Sequence, residues 1–225
     1  MMRLPHGGKF FNPEALASAG LTTLMLAEGL ASAYKTLDAI DERLIALGNP
    51  RLSAMVELAN LSSMLGNLLA SGIANASGGV FRRNGPHKYP DLLASSPNAA
   101  DVEIKIALED NKPKGHLAKP GFYLTCRYVL GGEHGIFARG TENRGDVIWI
   151  WELRAGHLEL EHFNLSNTAG DSGKTAVVNA LGMARLQVVY CDLEFFPCSR
   201  NGRTFRQYQT LYGPSVKSGA AVPPQ

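Results

Sequence analysis

Asp101-Val102-Glu103-Ile104-Lys105-Ile106 alternates strictly between charged and apolar side chains. Successive side chains on a β-strand point to opposite faces, so this period of two predicts a strand with Ile104 turned to a core. Glu103 and Lys105 then share the opposite face, and Asp101 joins them one pair earlier. Twelve residues upstream of Glu103 stands Pro90-Asp91, at the end of the polar stretch Arg82-Arg83-Asn84-Gly85-Pro86-His87-Lys88-Tyr89. A short strand carrying Asp91 could bring its carboxylate beside Glu103.

Outward from this segment the chain changes character near residue 78. Downstream, β-type runs dominate: Phe122 to Leu130, Val147 to Leu153, His157 to Phe163 and Leu186 to Leu193, with glycines punctuating the turns. Lys174 to Ala184 reads as a short helix. Trp149 and Trp151 share a strand face and read as core or interface, and Cys126 reads as a small buried residue. His157 and His162 fall on opposite faces of one strand, which makes no metal pair.

Upstream, residues 12 to 75 are rich in Ala, Leu, Met and Ser. Asn12-Pro13-Glu14 supplies a capping side chain, a proline at the first helical position and an acid near the positive end of the dipole. Leu16, Leu24, Leu30, Leu37 and Leu44 mark roughly one helical face, and Gly48-Asn49-Pro50 ends this region. A second helix is expected from Arg51 to Asn75, broken by Ser77-Gly78-Gly79. The expected architecture is α+β: a helical region over residues 12–76, a mixed-sheet core over 78–212 and a disordered tail from Ser215, all in one domain spanning 1–225.

Composition narrows the classes. The 225 residues suit one well-cored domain, and 45% apolar with 19% charged residues is ordinary for a soluble globular chain. No run approaches the roughly 18 uninterrupted apolar residues of a membrane span. Residues 1–8 lack the apolar segment of a secretory signal. Three cysteines without Cys-x-x-Cys spacing argue against a disulfide framework or a zinc knuckle, so a cytoplasmic location is expected. The net charge is only +2, so any nucleic-acid contact must come from local basic clusters.

Asp91, Glu103 and Lys105 have a chemistry in common. Two carboxylates with water or backbone oxygens make a hard anionic site suited to Mg²⁺. Such a metal polarises a phosphodiester and lowers the pKa of a bound water. A lysine beside it can hold the attacking water or offset charge on phosphorus.

The pattern Pro90-Asp91, a twelve-residue step and Glu103-Ile104-Lys105 resembles the PD-(D/E)XK nuclease superfamily, whose fold is restriction-endonuclease-like: a mixed β-sheet core flanked by helices. That resemblance implies Asp91 and Glu103 as ligands of one or two Mg²⁺ ions and Lys105 as the catalytic lysine. Many members also carry an acid on a preceding helix, and Glu57 matches best, ahead of Glu28 and Glu42. Residues 84–93 and 111–117 look like type II restriction enzymes, with a weaker echo at residues 164–178. The implied activity is site-specific hydrolysis of double-stranded DNA by a homodimer, because two active sites are needed to cut both strands. The N-terminal helices could supply the dimer interface or cover the sheet.

Basic residues flank the acidic set on both sides: Arg82, Arg83, His87 and Lys88 before it, and Lys112, Lys114, His116 and Lys119 after it. A phosphate backbone would have to pass there. Gly173-Lys174-Thr175 looks like the end of a P-loop, but the required glycine five residues before Gly173 is Thr168. No nucleotide cofactor is therefore expected. Asn167, Ser172 and Lys174 could instead contact DNA. Two other readings compete with restriction: a structure- or end-specific repair, recombination or phage nuclease of the same fold, and a non-catalytic DNA-binding module.

Overall fold

The computed structural model describes residues 3, 7–85, 88–116, 118–166 and 175–213, with the backbone alone at residues 116 and 166. The chain opens with a strand, β1 (Lys9–Phe10), then helices α1 (Pro13–Ala17), α2 (Thr23–Ala46), α3 (Leu52–Met55) and α4 (Leu58–Ala76). Strands β2 (Phe81–Arg83), β3 (Leu92–Ala94), β4 (Val102–Leu108), β5 (Lys114–His116), β6 (Gly121–Gly131) and β7 (Val147–Leu158) follow. The described residues end with β8 (Phe163–Ser166), β9 (Thr175–Val178), α5 (Ala180–Arg185), β10 (Gln187–Cys191) and α6 (Arg203–Tyr212). The expected α+β class holds, with helices ahead of a mixed sheet.

The main sheet has seven strands in the order β1-β10-β7-β6-β4-β3-β2. All neighbours are antiparallel except β4 and β6, which run parallel with Glu103 opposite Tyr123 and Lys105 opposite Thr125. A small antiparallel sheet, β5-β9-β8, is hydrogen-bonded separately and packs against it through Tyr123, Leu158, Phe163, Ala176 and Val178. One face of the main sheet carries Val102, Ile104, Leu124, Cys126, Tyr128 and Ile150, packed with Leu26, Leu30, Leu61, Leu65 and Leu69 of α2 and α4. The other carries Trp149, Trp151 and Val188, covered by Phe195, Phe196, Phe205 and Tyr208. The tryptophans and Cys126 are core residues, as expected.

Local chemistry corrects several expectations. Asn12 makes no side-chain cap; its amide donates to Val188 O at 2.8 Å instead, tying α1 to β10. Thr22 caps α2, accepting from Met25 N–H at 3.2 Å. The buried face of α2 runs through Leu26, Leu30, Ala33, Tyr34 and Leu37, leaving Leu24 68% exposed, so the leucine spacing of six to eight had mixed two faces. The single helix expected over 51–75 is interrupted where Val56 turns extended, separating α3 from α4.

Two further segments differ. Residues 157–163 are not one strand: β7 ends at Leu158, a 3₁₀ turn takes Leu160–His162, and β8 begins at Phe163. The expected helix over 174–184 is half strand, because Thr175, Val177 and Val178 are β-branched and pair with β8. Its helical half starts only at Asn179, whose side chain accepts from Gly182 N–H at 2.9 Å. The tail from Ser215 lies outside the described residues. Among those described, no helix is long and apolar enough to cross a membrane.

Candidate active site

Pairing of β3 with β4 brings the acidic set together. Leu92 stands opposite Val102 with both side chains on the helix-covered face, so Asp91 turns to the face of Glu103 and Lys105. Asn84 closes the loop between β2 and β3: its N–H donates to Asp91 O at 2.9 Å and its amide to Pro90 O at 2.8 Å. Ile104 N–H donates to Asp91 Oδ2 at 2.7 Å, fixing the carboxylate against β4. Lys105 Nζ donates to Glu103 Oε1 at 2.5 Å. Ile104 is 7% exposed in the core behind them.

Burial of these groups is unusual for charges and is matched by pairing. Glu103 is 9% exposed and Lys105 5%. Burial pushes both carboxyls above their ordinary values. The Ile104 N–H and the Lys105 ammonium pull Asp91 part of the way back, whereas Glu103, also eased by Lys105, is raised further by the negative charge of Asp91. The two side chains hydrogen-bond to each other in a way that lowers Asp91 and raises Glu103.

The roof over Lys105 was not legible in the sequence. A Cβ on Gly115 would lie 2.6 Å from Lys105 Nζ, so the backbone of β5 crosses directly above the ammonium. Lys105 Nζ also sits 5.9 Å from the Tyr123 ring. Tyr123 donates to Lys119 O at 2.7 Å and shares a hydrogen bond with Tyr89; burial raises both phenols. Lys119 Nζ stacks 4.4 Å over the Tyr89 ring. Thr125, opposite Lys105, is 1% exposed, and its hydroxyl has no hydrogen-bond partner among the described residues. Only the parallel register of β4 and β6 places Tyr123 and Thr125 here. Tyr89 was within reach of the sequence, standing beside Pro90-Asp91.

Glu57 does not join the set. It is the exposed N-cap residue of α4, and α4 packs on the opposite face of β4, where a Cβ on Gly66 would meet Ile106 at 3.2 Å. The break at Val56 moved it out of the helix interior in which it was expected. Asp101 precedes β4, is exposed, and accepts from Ala94 N–H at 2.8 Å, bracing β3 rather than rivalling Asp91.

The basic flanks divide. Arg82 pairs with Leu93 and is exposed on the face of the site. Arg83 points to the helix side, where Asn67 and Ser71 accept from its guanidinium at 2.7 and 3.2 Å; it is tied to α4 rather than displayed. Lys88, Lys112, Lys114 and Lys119 are exposed. His87, Asn167, Ser172 and Lys174 lie outside the described residues, as does the side chain of His116.

The donor set fits a small hard cation supplied with further oxygens by water or phosphate. Ile104 and Lys105 engage one oxygen each of Asp91 and Glu103, leaving a second oxygen on each carboxyl, and Mg²⁺ is commonly held by one or two carboxylates plus substrate oxygens. No group of three or more His, Cys, Asp or Glu side chains converges on a metal position among the described residues. A self-sufficient Zn²⁺ or Ca²⁺ cage is thus not what the described residues build. No protein-family model matches the chain, and no curated protein matches it.

Proposed function

We propose that the chain is a magnesium-dependent endonuclease of the PD-(D/E)XK type, hydrolysing double-stranded DNA at a short specific sequence. The observation that carries this reading is the convergence of Asp91, Glu103 and Lys105 on one buried sheet face. Mg²⁺ held by the two carboxylates would supply polarisation of the phosphodiester and a lowered pKa of a water molecule. Asp91, anchored by the Ile104 amide, and Glu103 would hold it. Lys105, confined by Gly115 and the Tyr123 ring, keeps its ammonium where negative charge accumulates on phosphorus. Exposed Arg82, Lys88, Lys112, Lys114 and Lys119 would attract the backbone. Cutting both strands requires a homodimer in this reading, which the molecular mass in solution checks.

Plasmid digestion with Mg²⁺ tests the proposal. Discrete fragments are expected from the native chain, and Asp91→Ala, Glu103→Ala and Lys105→Ala should each lower the rate at least 100-fold, the scale of losing a transition-state electrostatic partner. Glu57→Ala should cut normally. Undiminished cleavage by Asp91→Ala would remove the site assignment. Cutting only at ends or branches would favour a repair or recombination nuclease.

A further inference from the structure

One strongly charged surface lies outside the site and was not singled out by the acidic motif. From Phe195 to Gln225 the sequence has no acidic residue, while Arg200, Arg203, Arg206 and Lys217 are basic. Three of these cations surround α6. Its inner face is anchored: Phe205 and Tyr208 are buried, ring centroids of Phe196 lie 5.4 and 4.9 Å from theirs, and Arg127 Nη2 donates to Tyr208 Oη at 3.1 Å. Tyr208 also donates to Glu152, which is in turn paired with Arg127 and Arg154.

The outer face presents Arg203, Arg206, Gln207 and Thr210 at helical spacings of three, four and seven, all exposed, with Leu211 66% exposed beside them. These five line one shallow hollow. Neither Arg203 nor Arg206 meets a carboxylate among the described residues, whereas Arg51, Arg127, Arg144 and Arg154 all do. Both cations also stand in the first turns of α6, where the helix dipole opposes positive charge. Helix stability does not account for them.

Position gives the surface its meaning. Arg127, which receives α6 through Tyr208, lies on the same sheet face as Glu103 and Lys105, because Glu103 pairs with Tyr123 and Ala107 with Arg127 in parallel register. One strand across and two residues along, it is roughly 8 Å from Lys105 between Cα atoms. Through Tyr208 and Arg127, α6 is therefore tied to the sheet face that carries the site.

We infer that the outer face of α6 is a docking surface for the phosphate backbone of duplex DNA, with Arg203 and Arg206 clamping phosphates and Gln207 and Thr210 bonding to their oxygens. Planar guanidinium forks suit phosphate oxygens, and such contacts position a duplex without reading its sequence. The choice of duplex DNA rests on the nuclease reading; the charge argument does not.

The test is fluorescence anisotropy of a labelled duplex in Mg²⁺-free buffer with EDTA, over a salt series, so that no cleavage is needed. Relative to the native chain, R203A/R206A should bind more weakly at every salt concentration, and the slope of log affinity against log salt should fall by about 2, one for each lost phosphate contact. R203K/R206K should restore most of the slope, and the thermal midpoint of R203A/R206A should not fall, because both side chains are exposed and unfavourably placed on the dipole. A double variant that binds with native affinity and slope overturns the inference, as does a native chain that fails to bind duplex DNA. Cleavage by Asp91→Ala separates this from the catalytic reading: if that variant cleaves normally the catalytic assignment fails while the α6 result stands.

Discussion

Around Lys105 two carboxyls compete for one ammonium, and the buried charge balance is negative whenever both are ionised. Their pKa values are raised by burial, so the folded state holds its protons longer than the unfolded chain does. The stability they contribute is present below the ordinary carboxylate range and is lost as pH rises through the raised values. Above its raised pKa an ionised Glu103 therefore costs stability, and Glu103→Gln should raise the urea midpoint at alkaline pH. Lys105→Met should do the reverse, leaving two buried carboxyls without a cation. A loss of about 3 kcal/mol is expected while both carboxyls are ionised, shrinking as falling pH returns protons to Asp91 and Glu103. Midpoints that move the same way in both variants would contradict this charge balance. A lowered midpoint for Glu103→Gln would mean that its bond to Lys105 outweighs desolvation.

Helices α2 and α4 carry the site indirectly, since α4 packs against β4 through Ile106. They cross at two glycines. A Cβ on Gly72 would lie 2.8 Å from Gly29 O and 2.9 Å from Gly29 Cα, and one on Gly29 would lie 2.7 Å from Ile73 Cγ1. The contacts at Gly72 are backbone atoms, which cannot rotate away as a side-chain tip can. Gly72→Val is therefore expected to push the helices apart and destabilise the chain by about 1–3 kcal/mol, as overpacking does, despite the better helix propensity of valine. Chemical denaturation measures this, and a native-like midpoint would show that the crossing can relax. The Ala-, Ser- and Leu-rich pattern announced two helices but not this contact, because a glycine in such a run reads only as a weak helix former.

At the scale of the molecule, what was legible followed local periodicity, and what was not followed long-range register. Alternation alone oriented Glu103, Ile104 and Lys105 correctly, and the helical pattern located α2 and most of α4. The neighbours Tyr123 and Thr125 depend on the parallel pairing of β4 with β6, which no local pattern specifies. Glu57 was misplaced by an extended residue, Val56, that apolar spacing cannot distinguish from a helical one. The edge strand β1 was missed for a related reason: two residues have no period. Yet β1 and the loop before it close the far edge of the sheet over Asp192, which is 1% exposed. Asp192 Oδ1 accepts from Glu194 N–H at 3.0 Å, the Gly8 amide also donates to this carboxylate, and Oδ2 has no hydrogen-bond partner among the described residues. Burial raises its pKa from 3.8 to about 7. The sign follows as for Glu103: this carboxyl stabilises the fold while protonated, below about pH 4, and that contribution is lost as pH rises toward 7. At about 1.36 kcal/mol per unit, a shift of this size bounds the loss at roughly 4 kcal/mol. Asp192→Asn keeps an acceptor for the two amides and cannot ionise, so its unfolding free energy should vary less between pH 4 and pH 8 than that of the native chain. Native and variant profiles that run parallel across that interval would place the titrating group elsewhere.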